Sequence, residues 1–477
     1  MVAGLIVLVA DGSMDNYINV NPHMSYYLFA YKRHTKFAFE TKVIDFNKTL
    51  TIRENAADNI YNCYISPTAG DLLSKLYMVF TIPAIYSSNK YRFKWIKNFG
   101  TLMIRRATFF VGPTIIDTIT GEYLLIMNEL EVMFKDNYNN LTGNLDVMCN
   151  PQTPIPIVKI VNNNFETIKY PEAVKNSSDN PSIPSREIIV PLTFNFTKHP
   201  SLALLLARLQ NRKDIYIKLE LENIENLYQV YCKDLDMHIS PSYYNDLYPN
   251  DKIDVNNFIN DNDTNINAYI EGTFVYLDIY ERSLLMITPI KSIIMEQNFI
   301  SSKFEINPGT DLSTFITLTG TNFHNKEILW VVRRNDYGKF NENMNFTDSI
   351  PEDLTKPIIS YANIYFNDSR IMEDKNENFF NMIQPYQYHT CIPKKGIYCY
   401  SFALYPEKPQ PTGSYNGSKV ITKLKVYSKN PSNNSYINDK LTTANFSTYN
   451  YSYVLNYYVK FYNILEYVGA NVGMKYA

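Results

Sequence analysis

Two tryptophans in 477 residues, five cysteines and a formal net charge of −2 set the first limits on this chain. The cysteines (Cys63, Cys149, Cys232, Cys391 and Cys399) are odd in number and scattered. They read as reduced thiols of a cytosolic product and not as a disulfide framework. Lys and Arg total 45 against 47 Asp and Glu, so no basic footprint for wrapping nucleic acid exists, and direct nucleic-acid binding is not expected. The apolar run Ala3–Ala10, AGLIVLVA, is too short to span a bilayer and lacks a basic leader or a cleavage-like site. No other stretch reaches spanning length without polar interruption, and the chain reads as neither secreted nor membrane-integral. A phosphate-binding glycine loop, a GxSxG elbow and an HExxH helix are all missing.

Present in quantity are β-forming residues. Hydrophobic residues make up 45% and charged residues 19%, a globular balance. The length suits two domains of roughly 200–250 residues each. Aromatic residues reach 14%, with 40 Tyr and 27 Phe, and both types favour strands; AT-rich coding would also enrich Tyr and Asn.

One pattern is written twice. Ala107–Asp117, ATFFVGPTIID, is echoed by Ala362–Met372, ANIYFNDSRIM. Ile188–Leu204, a strand broken by a proline corner, is echoed by Ile397–Gly413. Asp214–Leu221, DIYIKLEL, parallels Val420–Tyr427, and Thr273–Glu281 parallels Tyr457–Leu465. The same order in both halves points to a duplicated β-sandwich, for which the eight-stranded jelly roll is the common solution. The expected fold is therefore all-β: two tandem eight-stranded jelly rolls with a few short helices in loops. The expected division is an N-terminal arm over 1–25, a first roll over 26–290 and a second over 291–477. The turnover between copies falls after Glu281-Arg282, in the segment ending near Gln297. Pro200–Arg212 is the strongest helix candidate, with Pro in its first turn and basic residues at its end. Residues 136–185 and 233–267, rich in Asn, Pro, Ser and Asp, read as long surface loops.

Candidate ligand sets do not hold up. Asp261-Asn-Asp263-Thr-Asn265 imitates the start of a calcium loop, but Ile266 and Gly272 stand where Gly and Glu are needed. His389, Cys391 and Cys399 lack zinc spacing and a fourth ligand. His23, His34, His199, His238 and His324 are isolated in sequence. The sequons at Asn140, Asn176, Asn262 and Asn416 are of the number an Asn-rich chain produces by chance. No catalytic residue, cofactor-binding residue or metal ligand is assigned.

The most informative stretch is residues 384–418, QPYQYHTCIPKKGIYCYSFALYPEKPQPTGSYNGS. A buried strand from Gly396 to Tyr405 runs into a corner built on Pro406, Pro409 and Pro411, and Thr412-Gly413 turns the chain back. With IPKKGIY, YSFAL, PE and QPTG in that order, it closely resembles the signature of the major capsid proteins of nucleocytoplasmic large DNA viruses. The likeness runs along nearly the whole chain. It includes Asn21-Pro22, Arg33-His34-Thr35 and the strand pair Trp95–Asp117 with Trp95, Gly100 and Asp117. It continues through Val190-Pro191-Leu192, Tyr276-Leu277-Asp278 with Glu281-Arg282, and Asn322–Trp330, NFHNKEILW. Departures fall at Gly112-Pro113 and Asn367-Asp368, where the family often has Gly-Gly and Asn-Gly; both replacements still permit turns.

The resemblance implies a protein that acts by self-assembly, not catalysis: a homotrimeric, pseudo-hexagonal capsomer tiling the icosahedral shell of a large double-stranded DNA virus. It implies neighbouring capsomers and minor capsid and penton proteins as partners. The arm would face minor proteins or inner membrane-associated proteins, and synthesis would be in host cytoplasm or a viral factory. The alternative for AGLIVLVA is a strand or strap in the chain's own core. Rival functions are a minor or scaffold shell protein, and a tandem β-sandwich that binds carbohydrate.

Overall fold

The computed structural model describes residues 3–9, 12, 14–15, 21–22, 26, 33–51, 59–152, 170–260, 265–304, 313–428 and 451–476. Sixteen principal strands form four antiparallel sheets. In the first half these are β1 (Phe37–Asp45), β2 (Ile60–Tyr64), β3 (Leu72–Ile82) and β4 (Ile104–Val111), then β5 (Thr114–Thr120), β6 (Arg186–Pro191), β7 (Ile215–Leu221) and β8 (Ala268–Leu277). In the second they are β9 (Lys291–Phe304), β10 (Ser313–Thr317), β11 (His324–Arg334) and β12 (Ile359–Phe366), then β13 (Ser369–Arg370), β14 (Ile397–Ser401), β15 (Thr422–Ser428) and β16 (Tyr453–Val468).

Sheet A runs β1-β8-β3-β6 and sheet B runs β2-β7-β4-β5. Sheet C, β9-β16-β11-β14, and sheet D, β10-β15-β12-β13, repeat the same order eight strands later. This is the jelly-roll connection made twice, as the internal repeat predicts. Side-chain alternation explains each sandwich. β7 and β15 both alternate strictly between buried and half-exposed positions, and their inward residues (Ile217 and Leu219, Leu424 and Val426) enter the two cores.

The departures from the family's turns cost nothing. Gly112 supplies the left-handed residue (φ +61°) between β4 and β5, while Asn367 (φ 45°) and Asp368 (φ 69°) form a type I′ geometry between β12 and β13. Asn367 Oδ1 also accepts a hydrogen bond from Ile421 N at 2.8 Å.

Strand register places the loops. Phe37 lies beside Leu277, Asp45 beside Tyr269, and Ile82 beside Arg186. The ends of β1, β3, β5 and β7 (Asp45, Ile82, Thr120 and Leu221) therefore all lie at one end of the first roll. Phe304 and Arg334 both pair with Tyr453, so the ends of β9 and β11 and the start of β16 meet at one end of the second, where 335–358 departs. The two ends coincide, because Asn341 Nδ2 donates to Tyr228 O (2.7 Å) and Ser240 N to Lys339 O (2.9 Å). The rolls thus stand side by side, with 335–358 of the second against the described part of 222–260 of the first.

Three sequence expectations need correction or refinement. Pro200–Arg212 is not a helix: two 3-10 turns, Pro200–Leu202 and Leu206–Leu209, flank a short strand, Leu204–Leu205, that pairs with Leu72-Leu73 of β3. Its leucines face the core from several directions and make no single stripe, so cross-strand pairing outweighs helix propensity. The 136–185 loop begins with helices at Lys135–Thr142 and Asp146–Cys149, and 233–267 contains Pro241–Leu247. The repeat segment ending at Glu281 is strand only to Leu277, after which an exposed helix spans Ile279–Ile287. Among the described residues, no helix is long and apolar enough to cross a membrane.

Trp330 on β11 is fully buried, stacked on Tyr398 (centroids 5.9 Å apart) and edge-on to Phe380 (5.1 Å). Trp330→Ala is expected to cost about 3–5 kcal/mol, read as a lowered midpoint in chemical denaturation of the second roll.

Candidate functional site

In a chain whose resemblance implies assembly, the functional geometry is the set of surfaces that join rolls, and one such joint lies within the chain. The helix Gly121–Glu131, GEYLLIMNELE, here called α2 (α1 being Ala3–Val9), follows β5 and crosses to the second roll. Thr120 caps it, its Oγ1 accepting from Tyr123 N at 3.3 Å. Gly121 is required by close approach: a Cβ there would strike the carbonyl oxygens of Thr101 and Ile104. Tyr123, Ile126 and Leu130 of α2 pack with Leu329, Val331 and Tyr458 on the outward face of sheet C. The opposite face of β11 (Ile328, Trp330 and Val332) fills the second core. The inner strands β11 and β16 and the neighbouring β14 are consequently buried on both faces. Across the seam, Glu122 Oε2 accepts from Arg333 Nη2 at 2.6 Å and Glu122 Oε1 from Asn456 Nδ2 at 2.9 Å.

Burying β11 and β16 on both sides also buries their charges. Glu327 and Lys460 are cross-strand partners, with Lys460 Nζ 2.9 Å from Glu327 Oε2. The other Glu327 oxygen is bonded to His389 Nε2, and His389 Nδ1 lies 3.1 Å from Glu407 Oε1. Burial alone would discharge the imidazole, but the Glu327 carboxylate dominates and raises its pKa to about 12. Burial likewise works against the Glu327 charge, yet Lys460 and His389 hold its pKa below the ordinary range, and Glu327 in turn raises that of Lys460. Among the described residues, no carboxylate makes such a contact with Lys326, next in the chain at a bulge in β11. It lies against Met295 Sδ, and burial followed by repulsion from Lys460 pushes its pKa well below the usual range. Asp117 on β5, raised to about 6 by burial, faces Glu296 on β9, raised to about 7 by burial and by Asp117.

The sequence signature acquires its reason here. Glu407 of the proline corner accepts hydrogen bonds from Thr390 N (2.8 Å) and Thr390 Oγ1 besides its contact with His389. The paired lysines of IPKKGIY separate: Lys394 meets Glu352 at 2.9 Å and Lys395 meets Glu377 at 3.1 Å. Thr412 Oγ1 accepts from Tyr405 N at 3.0 Å and closes the corner. His389 fastens the segment to sheet C through Glu327, while Lys394 and Lys395 tie it to the loops that carry Glu352 and Glu377.

Of the ligand candidates, His389 and Cys399 do come together, with ligand atoms of Glu327, His389 and Cys399 all within 4.8 Å of one another. Both imidazole nitrogens and both Glu327 oxygens are engaged in ion pairs, so the cluster reads as a charge network. Cys391 lies apart from it, its thiol donating to Val132 O at 3.3 Å. Asp261–Thr264 of the calcium-like stretch, with the Asn262 sequon, lie outside the described residues. His238 Nε2 is 3.1 Å from Arg92 O, and burial lowers its pKa to about 3. Sequence reasoning missed α2 and Glu327. The available signal was a Thr cap, an acid in the first turn and the apolar run Tyr123–Met127, which covers every side of one turn and marks a helix buried there.

The paired, identically ordered sandwiches define the class, a double jelly roll. Solved structures agree: the chain superposes on a chain of the PBCV-1 virus capsid with a TM-score of 0.67, at 18% identity over 95% of this chain and 100% of that one. On the Faustovirus major capsid protein the TM-score is 0.66, at 12% identity over 96% and 95%. The family described as "Major capsid protein N-terminus" matches residues 25–278, and "Large eukaryotic DNA virus major capsid protein" matches residues 281–473. This chain belongs to that family, and its role is structural, in the capsid. Among curated relatives, it is 24% identical to "Probable capsid protein 4" of Acanthamoeba polyphaga mimivirus (93% of this chain, 97% of that protein). It is also 24% identical to the "Major capsid protein" of Phaeocystis pouchetii virus (88% and 91%).

The buried network makes stability depend on pH. His389 holds its proton more tightly when folded, so its contribution is whole below about pH 6.5 and drains away as pH rises towards 12. Glu327 contributes fully above about pH 4.5 and loses that contribution in acid. The melting temperature should therefore fall between pH 6 and pH 9, and His389→Gln should start lower at pH 6 and show a shallower fall. Glu327→Gln, leaving two buried cations without their partner, is expected to cost about 3–5 kcal/mol in equilibrium unfolding at pH 7.

Proposed function

We propose that three copies of this chain form a pseudo-hexagonal capsomer that tiles the icosahedral shell of a large double-stranded DNA virus. The observation that carries this reading is the repeated strand order in two parallel rolls joined by a buried seam. Three such chains supply six near-equivalent lobes, and cyclic symmetry closes the ring. An obligate interface of this kind buries on the order of 2,000–5,000 Å². Neighbouring capsomers and minor capsid and penton proteins are the proposed further partners, with production in host cytoplasm or a viral factory. The long loops form the outward face.

The proposed division is an arm over 1–25 and rolls over 26–290 and 291–477. Ala3–Val9 favours the arm: it is a helix, α1, with Leu5, Ile6, Leu8 and Val9 exposed, and not a strand of the chain's own core. That apolar surface suits minor proteins or an inner membrane layer beneath the capsomer.

Light scattering after size exclusion should give about three times the 55.5 kDa chain mass; a folded monomer would remove this reading. A chain lacking residues 2–12 should still trimerise but fail to form sheets of capsomers by electron microscopy. Loss of solubility on that deletion would instead assign the segment to the core.

A further inference from the structure

Where the two rolls meet at their loops, they enclose a cavity of about 250 Å³ that the capsomer reading does not use. Residues 94–97, Cys149 and Gln229 line it from the first roll, and residues 341–345 with Glu352 line it from the second. Lys94 and Trp95 form a short strand opposite Gln229 and Tyr228. Three wall amides then tie the rolls together. Gln229 Nε2 donates to Phe340 O, Asn341 Nδ2 to Tyr228 O at 2.7 Å, and Asn343 Nδ2 to Asn226 O at 3.4 Å. The walls are therefore fixed before any ligand arrives, which lowers the cost of binding one. A polar space of this size takes several waters or one small solute. Lys97 and Pro351 are exposed at its edge, so solvent reaches it.

The charges on these walls are unequally answered. Glu352 serves two amines, with Lys394 Nζ 2.9 Å from Oε1 and Lys97 Nζ 3.7 Å from Oε2. Glu342 Oε2 accepts from Asn345 Nδ2 at 2.8 Å, and burial raises its pKa, which favours the neutral acid. Among the described residues, none hydrogen-bonds or ion-pairs with the half-buried ammonium of Lys94. Burial lowers its pKa, the nearby Glu342 opposes that, and Lys97 adds to it. His238 feels the same positive charge and is kept neutral, chiefly by burial, so it offers no counter-charge. An ammonium withdrawn from water without an anion is costly, and an anion in the cavity would supply the missing partner.

We propose that this cavity binds a small oxyanion of the phosphate class, with Lys94 as its charge partner and Lys97 at its mouth. Glu342, also on the wall, suits the O–H of a hydrogen phosphate, which chloride does not offer. A bound anion links Lys94 of the first roll to the 341–352 loop of the second, so occupancy braces the joint between the rolls. The proposal goes beyond the capsomer reading and does not depend on it, because the site lies within one chain.

The test is isothermal titration calorimetry of the full-length protein with inorganic phosphate, in chloride buffer at constant ionic strength. The parent should show saturable binding at one site per chain, whether it runs as a monomer or a trimer. Lys94→Met keeps the apolar stem and removes the charge, and should weaken binding by about tenfold or more. Lys94→Arg should restore most of it, and Lys218→Met, on the outward face of sheet B, should leave it unchanged. Phosphate should also raise the melting temperature of the parent and not that of Lys94→Met. Absence of saturable binding by the parent overturns the proposal and leaves a water-filled cavity, as does binding by Lys94→Met at the parent's strength.

If Lys94→Met fails to fold, the parent's own lysines are followed by NMR after reductive methylation with a carbon-13 label. The Lys94 resonance, assigned with Lys94→Arg, should move on adding phosphate and saturate with the calorimetric curve. A Lys94 resonance that phosphate does not move overturns the proposal.

Discussion

Most of this molecule follows from the burial of β11 and β16, the inner strands of sheet C, on both faces. A strand covered on one side needs only alternation, but β11 and β16 have apolar residues in two cores at once, with Trp330 and Tyr457 on one side and Leu329 and Tyr458 on the other. That demand can be met only if another part of the chain lies over the outward face. The first roll provides α2, whose Tyr123 to Met127 and Leu130 are all buried. A sandwich that could stand alone is thereby converted into half of a two-lobed block.

The same burial explains where the charges lie. Glu327, Lys460 and His389 cannot reach solvent, so each depends on the others, and the proline corner supplies Glu407 as a fourth member. Buried ion pairs are weak evidence for stability, because desolvation offsets most of the attraction. Their geometric effect is clearer: they admit one register between β11 and β16 and one seat for the corner. A shell block needs that definition, because tiling propagates small differences in lobe orientation.

Duplication gives the chain two versions of each surface, and the two versions have diverged. The outward face of β11 and β16 is covered within the chain, whereas β1 at the edge of sheet A keeps Phe37 and Phe39 in the open. Exposed apolar surface of this kind is a liability in a lone monomer and a resource in an assembling one. The pH behaviour of the seam adds a further constraint. Asp117 and Glu296 hold protons above the usual carboxylate range, as His389 does above the usual imidazole range, so the joint is best satisfied towards mildly acidic conditions.

The sequence alone determined the β class, the duplication and the turns. Alternation in DIYIKLEL and the corner residues Pro406 to Gly413 are local properties, governed by side-chain periodicity and backbone geometry. Even the departures at Gly112 and Asn367-Asp368 could be judged there. The sequence also marked His389 and Cys399 as neighbours. It could not supply Glu327, 62 residues from His389, because only strand register brings them together. Nor could it classify LLIM in α2 or the leucines of 202–209, since an apolar run carries no period once every side is buried. Whether those residues became helix, 3-10 turn or short strand was decided by the tertiary structure, through the shape of the space between the rolls and the pairing partners at its walls.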